Sequence, residues 1–474
     1  MGKTAWWVAG LLVAAPVASA EPDAAAPAPG AVPAEVTAWL EGDATRAARE
    51  LSNRADRGTV LNHAVAILYA GDAPGAESEL QALRAREPGF TPALRWLARA
   101  RAEAGSPALD ETIEALLADR SADARDFLWA GRLRLDGGQV DLAAASLSAA
   151  VKREPELYLG WLWLGDAEEQ RGGLAAARQA WLHARLLHAG GDVLIRLGRS
   201  SLHAGRVEEA RVFLAEALCT PEGRRQEDAL RRLLPGLPPP PPAPSFAPVT
   251  RPGERLRYTA RYLFFRFGIL EIENQGWTEA RGRPAMRLVL TVRSNPGFPF
   301  LKIDSRFETL IGEDGSVLAH RSLSRDSTQV DHASVYDMDP ENDECVVRRV
   351  VDGLFAFDRL PLPVFAQDGV SVLQLARALA RAPAGASVLT AVDGTWKGTV
   401  LRTGGTSRRG WKGREIETVE VESEGQYRGP AGQSGRVRAW ISRDDRAVPY
   451  RAAIKVGLGS VVLTLREDSE GIEP

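Results

Sequence analysis

Glycine recurs at Gly71, Gly105, Gly138, Gly172 and Gly205, at intervals of 34, 33, 34 and 33 residues. A period of that length marks stacked copies of one supersecondary unit, so it constrains the fold before any local propensity does. Each glycine keeps its neighbours. Five residues later stands Ala76, Ala143, Ala177 or Ala210, with Asp110 as the exception. Nine residues later stands Leu80, Leu147, Trp181 or Leu214, with Glu114 as the exception. Seven residues earlier stands Ala64, Ala98, Gly131, Gly165 or Gly198. Glycine ends a helix in the left-handed conformation without steric penalty, and a small residue two turns away lets a second helix approach closely. The unit predicted is helix, tight turn, antiparallel helix.

The clearest copy reads Trp161-Leu162-Trp163-Leu164-Gly165, then Gly172, Ala177, Trp181 and Ala184. The copy before it reads Phe127, Gly131, Gly138, Ala143, Leu147, Ala150 and Pro155. Over residues 57–222 this resembles the tetratricopeptide (TPR) repeat, with a half-unit at Trp39 to Leu51 capping the start. Another helical-hairpin solenoid is the alternative. The resemblance implies a superhelix in which the residue after the small one faces the concave groove. Those positions hold Arg99, Arg132, Asp166 and Arg199. The arginines of such a row would grip a partner's carboxylates, a terminal carboxylate included, through bidentate hydrogen bonds. Against this, the protein has 53 arginines and six lysines, so exposed helix positions are arginine-rich throughout. Trp161, Trp163 and Trp181 read as packing.

The first twenty residues carry one lysine, an apolar run and Ala18-Ser19-Ala20, the pattern of a secretory signal peptide cleaved before Glu21. The run is short for a membrane span, and no later stretch offers one; an uncleaved anchor is the alternative. The expected location is exported, periplasmic or envelope-associated in a Gram-negative-type bacterium. Residues 21–36 read as a disordered leader. Cys219 and Cys345 fall in different halves and are expected to be buried and unpaired. A net charge of −3 over 474 residues gives no general attraction to nucleic acid.

Residues 235–252 hold a proline run that cannot continue a helix, and they read as a stiff linker of up to roughly 50 Å if extended. The predicted layout is therefore helical repeats over 37–234, the linker, a β domain over 253–467 and a tail over 468–474. In the β domain the apolar period drops to two, as in Leu256, Tyr258, Ala260, Tyr262 and Phe264, and again in Met286, Leu288, Leu290 and Val292. Val437, Ala439 and Ile441, then Ile454, Val456 and Leu458, repeat it. About ten strands are expected, in an antiparallel sheet that curls into a half-barrel or roll. One helix over 371–382 interrupts them, with Ser371 and Gln374 as a capping box and Val372, Leu375, Ala376 and Leu379 on its buried face. Gln374, Arg377 and Arg381 are expected opposite. The fold class is multidomain α + β.

Several segments of this half resemble the family of unknown function DUF3108. They are Gly253-Glu254 with Tyr258, Arg293-Ser294-Asn295-Pro296, Asp304-x-Arg306-Phe307-Glu308, Gln367-Asp368-x-x-Ser371, and the tail from Gly435 through Trp440 to Pro449. The resemblance implies an envelope protein and a fold, and carries no activity. The loop from Gly404 to Gly413 departs from the pattern and leaves the local strand pairing open.

No nucleophile elbow, phosphate loop, dinucleotide fingerprint or zinc-protease motif occurs in the sequence. Asp304 and Glu308 share a strand face about 13 Å apart, too far for a glycosidase pair, and read as partners of arginine. The acidic run Asp337 to Glu344 has Arg348 where a calcium loop wants its bidentate glutamate, and reads as a hairpin tip. Asp444-Asp445-Arg446 reads as a turn. No catalytic residue, cofactor or metal ligand is expected. The function expected is an exported adaptor, its groove taking a protein or peptide and its β domain docking a second envelope component. The alternatives are a carrier or sensor of a lipid or other apolar ligand held by the β domain, and an enzyme acting on envelope glycan.

Overall fold

The computed structural model describes residues 32–52, 55–239, 248–262, 265–295, 304–326, 329–381, 385–392, 394–425, 436–456 and 459–470. The signal segment, most of the leader, the centre of the proline run, Phe264, Pro296, Pro383, Gly435 and Leu458 lie outside them. Among the described residues no helix is long and apolar enough to cross a membrane.

The N-terminal half is a stack of helical hairpins. A capping pair, α1 (Ala34–Glu41) and α2 (Ala44–Leu51), leads into α3 (Arg57–Tyr69) and α4 (Ala73–Arg86). The second hairpin is α5 (Thr91–Ala104) with α6 (Leu109–Ala118), and the third is α7 (Ala124–Asp136) with α8 (Val140–Arg153). The fourth and fifth are α9 (Tyr158–Gln170) with α10 (Leu174–Leu187), and α11 (Gly191–His203) with α12 (Val207–Leu218). Short helices α13 (Pro221–Arg225) and α14 (Glu227–Leu233) close the end. All five repeat glycines have positive φ, between 64° and 99°, which is why the ladder is glycine. The small residues seven places earlier serve space instead. A Cβ on Gly165 would lie 2.2 Å from the Trp181 indole nitrogen, so the inner and outer helices touch there. Where the second unit breaks the pattern, α6 starts late and Ile113 and Leu116 fill the core that Glu114 cannot.

Among the described residues the C-terminal half is one antiparallel sheet of fourteen strands, against the ten or so expected. In order they are β1 (Arg255–Tyr262), β2 (Phe265–Ala280), β3 (Arg283–Ser294), β4 (Asp304–Gly312) and β5 (Val317–Asp326). Then come β6 (Gln329–Asp339), β7 (Glu344–Val351) and β8 (Leu354–Pro361). After helix α15 (Ser371–Arg381) follow β9 (Gly385–Val392), β10 (Thr395–Trp411) and β11 (Arg414–Gly425). The last three are β12 (Arg436–Ser442), β13 (Pro449–Val456) and β14 (Gly459–Leu465). The missed strands hide behind two-residue turns such as Arg281-Gly282 and Lys412-Gly413, in which both residues have positive φ. The Gly404–Gly413 segment is thus no loop. It continues β10, with a register shift between Thr403 and Thr406.

The meander runs β8 to β1, then β14 to β9, so β8 and β9 are the two edges and the sheet is curled but not closed into a barrel. A short parallel bridge from Gln367 to Thr390 draws the segment after β8 onto β9. Helix α15 lies inside the curl, with Leu375, Ala376, Leu379 and Ala380 packed on Val388, Leu401, Val421 and Ile441. Its cap differs from the one expected: Asp368 accepts the backbone N–H groups of Val370 and Ser371. Gln374 and Arg377 are buried rather than opposite the core, because a helix inside a curved sheet has little solvent face. Only Arg381 of the three reaches solvent, near Asp445.

Candidate functional site

The two halves do not stand apart on a spacer. The inner helices of the repeats wrap the seam between β8 and β9, so the groove is partly filled by the protein's own sheet. Trp39 on α1 is fully buried and stacks on Phe355 of β8 at 4.9 Å, while its indole N–H donates to the Arg349 carbonyl at 3.0 Å. Phe357 sits between Tyr69 at 5.1 Å and Trp96 at 5.0 Å. The Asn62 carboxamide donates to the Gly353 carbonyl and accepts from the Phe355 N–H, both at 2.8 Å. It thereby pairs the free edge of β8 as a neighbouring strand would. An edge strand left bare is a template for aggregation, and this cover removes the hazard.

Arg99 belongs to the same contact. Its guanidinium donates to the Phe357 carbonyl at 2.9 Å and to Asp358 at 2.7 Å. Arg349 holds the other Asp358 oxygen at 2.8 Å. Burial pushes the Asp358 carboxyl up, yet the two guanidiniums hold it below the ordinary carboxylate range. Arg99 is therefore occupied within the molecule and not free for a partner. Further along, the Lys397 ammonium meets Glu154, and the His188 ring bonds Ser387 of β9 at 3.1 Å. Cys345 is buried in this contact, whereas Cys219, expected to be buried, is exposed; neither forms a disulfide.

Beyond the seam the groove stays open as a cleft of about 420 Å³ that includes Arg132, Asp166, Arg196, Arg199 and Gln226. Three of the four row positions thus meet here, in different states. Asp166 accepts both arms of Arg196, at 2.6 and 3.0 Å. Arg132 shares itself between Asp136 and the face of Trp163, 5.1 Å away. Arg199 is exposed and has no ion-pair partner among the described residues.

At the rim, the Tyr158 hydroxyl donates to Asp192 at 2.5 Å, and Glu222 lies beside it. Burial, and after it the Asp192 carboxylate, push the Glu222 carboxyl up to about 7 from 4.5. A raised folded-state value means that the stability tied to this proton is complete below the unfolded value and is lost as pH climbs through about 7. The protein is expected to lose about 2 kcal/mol between about pH 5 and about pH 8, a slope that Glu222→Gln flattens in thermal unfolding.

A second concavity lies under α15. It is a cavity of about 180 Å³ with apolar walls from α15 and from the inner face of the sheet, among them Leu270, Leu290, Val372, Ala376, Ala452 and Leu463. Helix α15 is fixed over it. Arg377, with no exposed surface, grips both oxygens of Glu254 at 2.5 and 2.9 Å and donates to the Ala447 and Arg446 carbonyls.

The remaining acidic groups are committed elsewhere. Asp304 faces Arg293 at 3.7 Å, and Glu308 faces Arg287 at 3.4 Å, both on the outer surface. Asp337 pairs with Arg348, and Asp339 accepts the backbone N–H groups of Glu341 and Asn342 to close a turn. Buried His320 and Thr309 meet Asp368, but both acidic and hydroxyl partners lie at the same ring nitrogen, which is no proton relay.

A TPR repeat-containing protein of Pseudomonas aeruginosa is 38% identical over 71 residues, 15% of this chain and 68% of that protein. The chain belongs to the TPR repeat-containing proteins. Residues 257–466 of this TPR protein match the family described as "Protein of unknown function (DUF3108)". Among solved structures, the peptide-binding TPR protein YrrB is 14% identical, covering 43% of this chain and 98% of its own, with a TM-score of 0.34. MamA of Desulfovibrio magneticus RS-1 is 20% identical over 37% of this chain and 98% of its own, with a TM-score of 0.33. PilF of Pseudomonas aeruginosa is 20% identical over 38% of this chain and 92% of its own, with a TM-score of 0.30. Likeness at that level says nothing about what this TPR protein binds. A TPR superhelix is a protein-interaction module, and the groove is where such a module works.

Sequence reasoning missed the residues that fill the TPR groove in cis. One signal was present: two places before each small residue stand Asn62, Trp96, Trp129, Trp163 and Arg196, a row with the repeat's own period. Arg99 lies over the rings of Trp96 and Trp129, at 5.0 and 5.5 Å.

Proposed function

We propose that this TPR protein is an exported cell-envelope adaptor that uses its groove twice. The N-terminal repeats hold the protein's own β roll in one orientation. The open stretch at Arg132 and Arg199 receives an acidic segment or the terminal carboxylate of a second protein, and the roll carries the other envelope contact. The observation that supports this is the Arg99–Asp358 pair, in which an arginine at the same repeat position grips the carboxylate of an extended strand. Export rests on the signal-peptide pattern over residues 1–20. The role is binding and not catalysis.

The test is crosslinked capture from an envelope extract by the full-length protein and by a variant carrying Arg132→Glu and Arg199→Glu. Reversal of both charges is expected to weaken capture at least about tenfold with the thermal midpoint unchanged. Equal capture by both proteins removes the reading.

A second reading is favoured by the cavity under α15: the β roll carries or senses an apolar ligand. Native mass spectrometry of the full-length protein is expected to show a reproducible bound lipid.

A further inference from the structure

The size and chemistry of the cavity under α15 name a ligand class. Its volume, about 180 Å³, is close to that of an apolar cavity of about 150 Å³ that admits benzene. Yet its walls draw on nine strands, from β3 through β1 and β14 to β9, as well as on α15. A volume that small leaves no room for two acyl tails side by side. Among the described residues Tyr258 is the only ionisable one in the lining, and its hydroxyl is spent on the Pro449 carbonyl at 2.8 Å. The other polar side chains are Thr390 and Thr399, which bond each other at 2.9 Å, and the uncharged Ser423 hydroxyl. Among the described residues the walls hold no charged side chain, and burying a charged group without a partner is strongly unfavourable.

Helix α15 also sets the size limit. It is tied to the sheet by the Arg377–Glu254 pair and capped by Asp368, so the cavity cannot widen by lifting the helix without breaking a buried ion pair.

We propose that this cavity holds the end of one straight hydrocarbon tail, about six carbons deep, of an amphiphile whose polar group stays outside. This rests on the carrier reading and narrows it to a single-tailed ligand in a preformed slot. Small side chains keep the slot open, Ala376 from the helix and Ala452 from β13 among them.

The test is isothermal titration of the full-length protein with unbranched alcohols from butanol to decanol. Affinity is expected to rise about fourfold per methylene and then to level off near six carbons. Ala376→Leu and Ala452→Leu, made separately, are each expected to weaken hexanol binding at least about tenfold, with the thermal midpoint unchanged or raised. Affinity without dependence on alcohol length, or hexanol binding by both variants as tight as by the unaltered protein, overturns the slot. The carrier reading survives that result if native mass spectrometry still finds a bound lipid. No alcohol binding and no bound lipid overturn both.

Discussion

Arg377→Met is expected to destabilise the protein by about 3–5 kcal/mol, the range for removing one partner of a buried ion pair. The side chain has no exposed surface, and Glu254 is 4% exposed. The methionine would fill much of the space but leave the Glu254 carboxyl without its cation and, among the described residues, with the Thr250 hydroxyl, 2.7 Å away, as its remaining side-chain donor. The Ala447 and Arg446 carbonyls would lose their donor as well. Calorimetric unfolding should show the fall, and the double variant Arg377→Met, Glu254→Leu should recover a large part of it. If the double variant is no better than the single one, the damage lies in packing and not in the stranded charge. The effect should centre on α15, since the pair ties the helix to the start of β1 and to the turn between β12 and β13.

Trp39→Ala is expected to remove about 3–5 kcal/mol, the usual range for truncating a fully buried tryptophan. It deletes the ring stacked on Phe355, the edge contact with Tyr69 at 5.4 Å and the hydrogen bond to the Arg349 carbonyl. The stack and the hydrogen bond join the capping pair to β8 and β7, and the Tyr69 contact joins it to α3. The expected readout is therefore specific. Amide exchange should quicken in β8 and in α1, and protease should cut the N-terminal hairpin, while α9 to α12 keep their protection. Uniform loosening of the whole molecule would mean that Trp39 supports the repeats themselves and not their grip on the sheet.

The repeats were legible because their causes are local. A left-handed glycine every 33 or 34 residues, and a gap for Leu147, Trp181 or Leu214 opposite a small residue, leave a periodic trace in the sequence. Strand alternation in β1 and β3 was legible for the same reason. The strand count was not, since turns such as Arg281-Gly282 lack the Asn or Asp that usually announces them. Arg377 was misplaced because helical periodicity says which residues share a face, not how many faces are covered. In the groove row, periodicity placed Arg99, Arg132, Asp166 and Arg199 at equivalent positions, but their partners differ: Asp358, Asp136, Arg196 and none among the described residues.

The order of residues by itself determined a solenoid of helical hairpins, a break at the prolines and a curled antiparallel sheet with one helix, because each follows from contacts a few residues apart. Only the tertiary structure decided that the solenoid closes over the seam of that sheet. The contacts that do this join Asn62 to Gly353 and Arg99 to Asp358, hundreds of positions apart. With 53 arginines to choose from, charge and spacing cannot say which carboxylate each one meets. Distance in three dimensions does, and it leaves one end of the groove filled and the other open.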